Sequence, residues 1–415
     1  MEYLPRLVDG LLTELLTGLP AVLVVGPRAC GKTTTARRHV EDSLRLDRPA
    51  DADLVRADPD AALRSRSAPL LVDEWQLVPE VLAAVKRAVD DGSGTGRFVI
   101  TGSAQTDLTA AGWPLTGRAV RLPMWGLCQR ELVGDPDAVS ILDRLARVGV
   151  DALTAPSRPL DLIDYVDRAL HGMLPEVALQ PDARLRRRWL ASYVDEVIVR
   201  DGALVDGPRD PVRLRRYLQA LAANTAGVVE HRTLYETAEV NRLTATGYDR
   251  LLAALLVVDS MPAWHTNRLS RLTSRPKRLL VEPALVGPLL GVDAAAILRE
   301  SDLRGRLLET FVVSQLRPEL TVAETAPRLF HLRDRDGRHE VDVVVEFGDG
   351  RVVGIEVKAA ATVSRSDARH LIWLRDRLGD RMVGGLVLHT GPHAFLVDDR
   401  IRAAPISSLW SSPAR

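Results

Sequence analysis

Hydrophobic positions along this chain change their period twice. Uninterrupted apolar runs, AVLVVG at 21–26, PLLVDE at 69–74 and RFVITGS at 97–103, alternate with stretches of helical period over residues 1–135. Buried strands alternating with helices predict a parallel sheet covered on both faces. The DGSGTG segment at 91–96 reads as a turn between a helix and a strand. From 136 to 210 Leu, Arg and Asp recur at helical spacing, and LRRRWLASYVDEVIVRD (185–201) predicts the clearest helix. Residues 211–265 predict several short helices ending in a pair of strands. Beyond about 295, LRGRLLETFVVSQL predicts a helix that precedes strands at 328–333, 341–347 and 351–358, with a further helix at 365–378. No internal repeat or low-complexity tract is found.

Length and composition then narrow the class. At about 150 residues per domain, 415 residues suggest two to three domains. A hydrophobic share of 46% with 27% charged residues excludes a disordered chain. Lys+Arg and Asp+Glu both number 55, so this is no polybasic nucleic-acid coat, and phosphate contacts must come from a local patch. Aromatics at 4% argue against rows of stacking rings. Two cysteines, Cys30 and Cys128, make neither a disulfide framework nor a structural zinc site, which points to a reducing cytoplasm. The first ten residues carry Glu2 and Asp9 and lack the blocks of a signal peptide. No apolar run approaches the ~18 residues of a membrane span, and Leu251–Asp259 is too short for one. A soluble, cytoplasmic, multidomain protein without membrane contact is expected.

One bias is sharper. Only Lys32, Lys86, Lys277 and Lys358 are lysine, leaving 55 − 4 = 51 arginines. A retained lysine is therefore enriched for places that need a compact ammonium rather than a planar guanidinium. Lys32 and Lys358 fall in chemical motifs, whereas Lys86 and Lys277 carry no expected chemical role.

Gly26, Pro27, Arg28, Ala29, Cys30, Gly31, Lys32 and Thr33 fit G-x-x-x-x-G-K-[ST] between an apolar strand and a helix that opens on Thr33 and Thr34. In this pattern backbone N–H groups wrap phosphates, Lys32 reaches the β- and γ-phosphates, and the Thr33 hydroxyl ligates Mg²⁺. About 40 residues later the strand Leu70-Leu71-Val72 ends in Asp73 and Glu74. Asp73 would hold Mg²⁺ through water, and Glu74 would orient or deprotonate an attacking water. A third strand, Phe98-Val99-Ile100-Thr101-Gly102-Ser103, offers Thr101 or Ser103 beside the γ-phosphate. Arg118, in Thr116-Gly117-Arg118, could reach a neighbouring subunit's γ-phosphate as a finger.

Strand period places Glu356 and Lys358 of GIEVK on one face, with Asp342 of EVDVVVE on a preceding strand and Glu309 on a helix. Carboxylates so placed would hold Mg²⁺ at Asp342 and Glu356, and Lys358 would stabilise an attacking hydroxide or the pentavalent phosphate. This looks like the PD-(D/E)xK nuclease pattern.

GPRACGKTT, LLVDEWQLVPE, FVITGS and LTGRAVRLPMWGLCQREL, in that order, resemble the prokaryotic AAA+-type ATPases that carry a C-terminal domain of unknown function with a restriction-endonuclease-like core. The likeness continues through YVDEVIVRD, RYLQALAANTAGVV and KRLLVEPALVGPLLG to ETFVVSQL, EVDVVVE and IEVKAA. It departs at Glu282, where such proteins tend to carry Asp. The resemblance implies an α/β chain with an AAA+-like P-loop domain (1–135), a helical region (136–210), a winged-helix-like region (211–294) and a nuclease-like domain (295–415). In the winged-helix region TATGYDRLLAALLVV (244–258) would be the recognition helix. The segment His265–Arg278 has five Lys/Arg and no acid, so Arg268, Arg271 and Arg275 would contact a phosphate backbone. The expected function is ATP binding and hydrolysis with Mg²⁺ by a homo-oligomer acting on or with DNA, with a possible metal-dependent nuclease site. The rival is a nucleotide-switched binding or regulatory protein, of the defence or toxin–antitoxin type, whose nuclease-like domain is inactive.

Overall fold

A computed structural model describes residues 3–92, 94–102, 114–135, 139–198, 210–334 and 337–411, the side chains of Arg268 and Thr273 excepted. Internal contacts gather the chain into two compact units, in the main Met1–Leu127 and Cys128–Arg415.

The first unit is built on β1 (Ala21–Val25), β2 (Asp42–Arg45), β3 (Leu70–Asp73), β4 (Phe98–Thr101) and β5 (Ala119–Pro123). Among the described residues these strands form one parallel sheet in the order β2-β3-β4-β1-β5. β3 and β4 are buried at every position because both faces of the sheet are covered, which is why their sequences read as unbroken apolar runs. The helix Val81–Asp90 contributes Val81, Leu82, Ala84 and Val85 to the core, the spacing of one helical face. Pro49 and Pro59 open two further helices, where a missing N–H costs nothing, and Asp58 caps the second by accepting the Ala61 N–H at 2.9 Å. The order of strands matters for chemistry. β4 lies between β1 and β3, so the ends of these three strands stand side by side.

In the second unit the helix anticipated over 185–201 starts at Ala183, where the Asp182 side chain accepts the N–H groups of Arg184 and Leu185, and runs to Glu196. Three helices, Pro211–Ala223, His231–Thr237 and Arg242–Ala254, lead into β6 (Val258–Met261) and β7 (Lys277–Leu280), an antiparallel pair. The expected recognition helix therefore ends at Ala254, and Val258 already belongs to a strand.

The helix Ser301–Val322 is buried at every residue from Leu307 to Glu319, so its apolar positions do not form one stripe. It precedes β8 (Arg328–Arg333), β9 (Glu340–Glu346) and β10 (Val352–Val357), close to the expected strands. Beyond the helix Arg369–Leu378 come β11 (Met382–His389), β12 (Phe395–Asp398) and β13 (Ile401–Pro405), completing a mixed sheet of order β12-β13-β11-β10-β9-β8. The sequence pattern missed β11 because Gly384 and Gly385 interrupt it. A Cβ on Gly384 would lie 2.5 Å from Val150 Cγ1, and one on Gly385 would lie 3.2 Å from Ile401 Cγ1, so packing requires the interruption.

Candidate functional site

The phosphate-loop segment leaves β1 at Val25 and enters a short helix, Lys32–Ala36. Gly26 has no room for a side chain, because a Cβ there would sit 2.1 Å from the Met124 carbonyl oxygen. Gly31 takes the left-handed conformation at φ +99°. The buried Arg6 guanidinium ties the loop to the next strand exit by donating to Cys30 O (3.0 Å) and Trp125 O (2.7 Å). Cys30 is buried with its thiol 3.7 Å from Met124 O, so within the loop it acts as a packing residue. Lys32 Nζ donates to the carbonyls of Gly26 (3.0 Å) and Pro27 (2.9 Å). Arg28 is half-buried, while Ala29 and Thr34 lie on the exposed side of the loop.

The strand ends converge as β4's position requires. Asp73 Oδ1 accepts from Thr33 Oγ1 at 2.8 Å and from Thr101 Oγ1 at 2.5 Å, while Arg45 Nε lies 3.9 Å from Asp73 Oδ2. Of the two candidates on β4, Thr101 reaches this cluster, and Ser103 lies outside the described residues. Glu74 follows with φ +56°, a left-handed backbone that a non-glycine residue holds only when its surroundings impose it. Gln76 Nε2 donates to Glu74 Oε2, and Gly102 packs so tightly that a Cβ would meet Gln76 Oε1 at 2.5 Å and Trp75 Nε1 at 2.6 Å. Thr33 and Asp73 suit an octahedral Mg²⁺ that takes one hydroxyl and keeps waters held by a carboxylate.

Arg118 is placed differently from expectation. Its Nε and Nη2 donate to the two oxygens of Asp90 (2.6 and 3.1 Å), and Lys86 joins the same carboxylate at 2.8 Å. This is an exposed ion pair within the first unit, of the kind that contributes little stability.

In the second unit β9 and β10 run antiparallel with Ile355 opposite Val343, which brings Asp342 beside Glu356. Asp342 Oδ2 accepts the Val357 N–H at 2.9 Å, and Lys358 Nζ donates to Glu356 Oε2 at 2.8 Å. Glu356 Oε1 is buried with no hydrogen-bond partner among the described residues. Burial and the neighbouring Asp342 charge push the Glu356 carboxyl up to about 8, against the pull of Lys358. Glu309 joins the cluster from its helix, through a partner that the sequence reading had dismissed. Lys277 Nζ, from β7, lies 2.5 Å from Glu309 Oε1, 3.6 Å from Asp342 Oδ1 and 3.4 Å from Asp342 O. Burial opposes its charge, but Glu309 and Asp342 outweigh that and hold the Lys277 ammonium protonated.

These residues do not fit the expected Mg²⁺ as they stand. An ammonium occupies the space between Glu309 and Asp342, and among the described residues no three His, Cys, Asp or Glu side chains form a metal-binding group. Asp342 and Glu356, expected as metal ligands, are engaged instead by the Val357 N–H and Lys277 and by Lys358.

The basic segment is also revised in part. Arg271 forms a bidentate pair with Glu346 (2.9 and 2.7 Å), with its guanidinium over Trp264 and Phe330, and its side chain is only 10% exposed. It anchors the β6–β7 connection to β9 and is not free for phosphate. Arg275 pairs with Glu230 at 2.9 Å but stays 62% exposed, and nothing is described of the Arg268 side chain. Beside this connection opens a cleft of about 1030 Å³, whose lining includes Arg275, Arg333, Arg377, His339 and Trp373. Asp334, the carboxylate in that lining, is engaged by His339 Nδ1 at 2.8 Å.

Comparison with known proteins agrees with the first unit's geometry: residues 19–133 match the family model described as an AAA domain. This segment is similar to AAA-type P-loop domains. Residues 162–296 and 304–409 match two further families, each described as a domain of unknown function (DUF8612 and DUF4143). An uncharacterized protein of Mycobacterium bovis and one of Mycobacterium tuberculosis are each 29% identical over 409 residues, 97% of this chain and 83% of theirs. Among solved structures, the Walker-type ATPase PABY2304 of Pyrococcus abyssi is similar over 68% of this chain and 94% of its own, at 14% identity and a TM-score of 0.40. Among the described residues no helix is long and apolar enough to cross a membrane.

Sequence reasoning missed Arg6, Arg45 and Gln76 around the P-loop domain's site, and Lys277 in the second unit. Gln76 stood two residues after Glu74 and was accessible to a local reading. Lys277 carried its signal in the scarcity of lysine, which marked it without naming its partners.

Proposed function

We propose that the P-loop domain binds ATP with Mg²⁺ and hydrolyses it. The observation that carries this is the convergence of Lys32, Thr33, Asp73 and Thr101 at three adjacent strand ends, with Glu74 directly beyond. Lys32, held on the loop carbonyls, is placed to turn onto the terminal phosphates. Thr33 would hold Mg²⁺ directly and Asp73 through water; when bound, the ion neutralises charge on the phosphates. Glu74, oriented by Gln76, accepts a proton from the attacking water. Phosphate release and nucleotide binding test the reading together. Lys32→Ala should abolish binding, and Glu74→Gln should bind ATP normally while turnover falls at least ~100-fold. Wild-type turnover in Glu74→Gln would remove Glu74 as the base.

We further propose that the second unit contacts DNA through the phosphate backbone at the cleft beside the β6–β7 connection. Among the described residues, Arg275, Arg333 and Arg377 line it against one carboxylate already bonded to histidine. The three helices followed by an antiparallel pair have the order of a winged helix, which is compatible with such a role. Nuclease action is not part of this reading, since Lys277 is paired with Glu309 and Asp342 in the acidic cleft. The nucleotide-switched binding protein is thereby the favoured form of the function: ATP state would control what the second unit holds. DNA-stimulated ATP turnover, or its absence, measures that coupling.

A further inference from the structure

We infer that Lys277 is the resident cation of the acidic cleft between β9, β10 and the helix Ser301–Val322, and that its ammonium shuts divalent metal out of that cleft. Three oxygens surround Nζ: Glu309 Oε1 at 2.5 Å, Asp342 O at 3.4 Å and Asp342 Oδ1 at 3.6 Å. Two of these oxygens accept hydrogen bonds and the third adds an ion-pair contact, and the same oxygens would begin the coordination sphere of a hard divalent ion. Both cannot be present, because the ammonium stands between the oxygens that the ion would bridge.

Charge leads to the same conclusion. If all were ionised, Glu309, Asp342 and Glu356 would outnumber Lys277 and Lys358 by three charges to two, and burial, which raises both Glu309 and Glu356, favours one carboxyl keeping its proton. Lys358 pairs with Glu356 at 2.8 Å, and Lys277 offsets one charge on the Glu309–Asp342 side. A chain with 51 arginines among 55 basic residues has kept lysine here, at a fully buried position. A guanidinium is too broad and flat to present one charge to three converging oxygens, so the residue type suits the role. The cation also arrives from outside the sheet. Lys277 belongs to β7, so the antiparallel pair supplies the counter-charge to carboxylates on β9 and on the long helix. Without it, buried carboxylates would face one another uncompensated, and a divalent ion would be the natural replacement.

The test is Mn²⁺ binding by metal-stripped, nucleotide-free full-length protein, measured by calorimetric titration on wild type, Lys277→Met and Lys277→Met/Asp342→Asn. Nucleotide is absent, so the readout does not depend on the ATPase reading. Lys277→Met should bind one Mn²⁺ per chain more than wild type, and the double variant should lose that gain. Lys277→Gln, which keeps a polar head, serves if the methionine variant does not fold. A second measurement needs no Lys277 variant: Mn²⁺ should shift the melting temperature of wild type and Asp342→Asn equally. The inference is overturned if wild type binds a Mn²⁺ that Asp342→Asn removes, or if folded Lys277 variants gain none.

Discussion

At the scale of single residues, the chemistry rests on side chains whose freedom has been removed. Glu74 sits at a positive φ and is held by Gln76, whose own Oε1 is buried without a hydrogen-bond partner among the described residues. Backbone strain and an unsatisfied amide oxygen beside an acid at a strand end are costs that a purely structural turn does not require. Gln76→Leu should therefore lower kcat about 10-fold while leaving ATP affinity within about 2-fold, because it releases the base without touching the phosphate contacts. Equal loss of binding and turnover would make Gln76 a stability residue instead. Gly26→Ala places a methyl group 2.1 Å from the Met124 carbonyl, so it should cost nucleotide binding through displacement of the loop. Calorimetric titration with ATP checks this.

At the scale of elements, two arginines four residues apart separate structure from recognition. Arg271 and Glu346 form a buried bidentate pair, so Arg271→Ala leaves a buried carboxylate unpaired and should destabilise the second unit by ~3–5 kcal/mol. Arg275 is largely exposed, and Arg275→Ala should change stability by less than about 0.5 kcal/mol. Instead it should reduce the slope of log affinity for DNA against log salt by about one. Urea unfolding and fluorescence anisotropy over a salt series measure the two effects. An unchanged slope in Arg275→Ala would take that residue out of the DNA contact. The segment's composition concealed this division, since Glu346 lies 75 residues beyond Arg271 in the chain.

At the scale of the whole molecule, stability should depend on pH through groups buried in the wrong charge state for acid. His331 is buried, with its Nε2 facing Arg275 O, and burial, reinforced by the Lys277 charge, lowers its pKa to about 4. An unfolded histidine titrates near 6.5, so between pH 6.5 and 4 the unfolded chain binds the proton that the folded one refuses. Its stabilising contribution is therefore present above about pH 6.5 and is lost as pH falls toward 4, at no more than ~1.4 kcal/mol per pH unit. Urea midpoints across this range should fall in wild type, with a shallower dependence in His331→Gln. Parallel curves would show that other groups govern the acid limb.

How much was legible follows from the sequence distance between interacting residues. The parallel sheet and the P-loop were readable because their signals are local. An apolar run followed by Gly26 to Thr33 specifies a strand, a loop and its ligand chemistry within about a dozen residues, and β3 closes with Asp73 and Glu74 in sequence. The nuclease-like pattern was local in the same way, since Glu356 and Lys358 share a strand face by period alone. Its chemical state was not local. Whether Glu309 and Asp342 hold a metal or an ammonium depends on Lys277, 32 and 65 residues away along the chain. Arg271 read as a free cation until its carboxylate was in view, and β11 disappeared behind two glycines whose need arises from Val150 and Ile401. The sequence by itself determined the elements and the phosphate chemistry, because backbone periodicity and loop geometry act between near neighbours. Only the tertiary structure decided which charges were already spent, because burial and ion pairing are set by whichever distant residue the fold brings within reach.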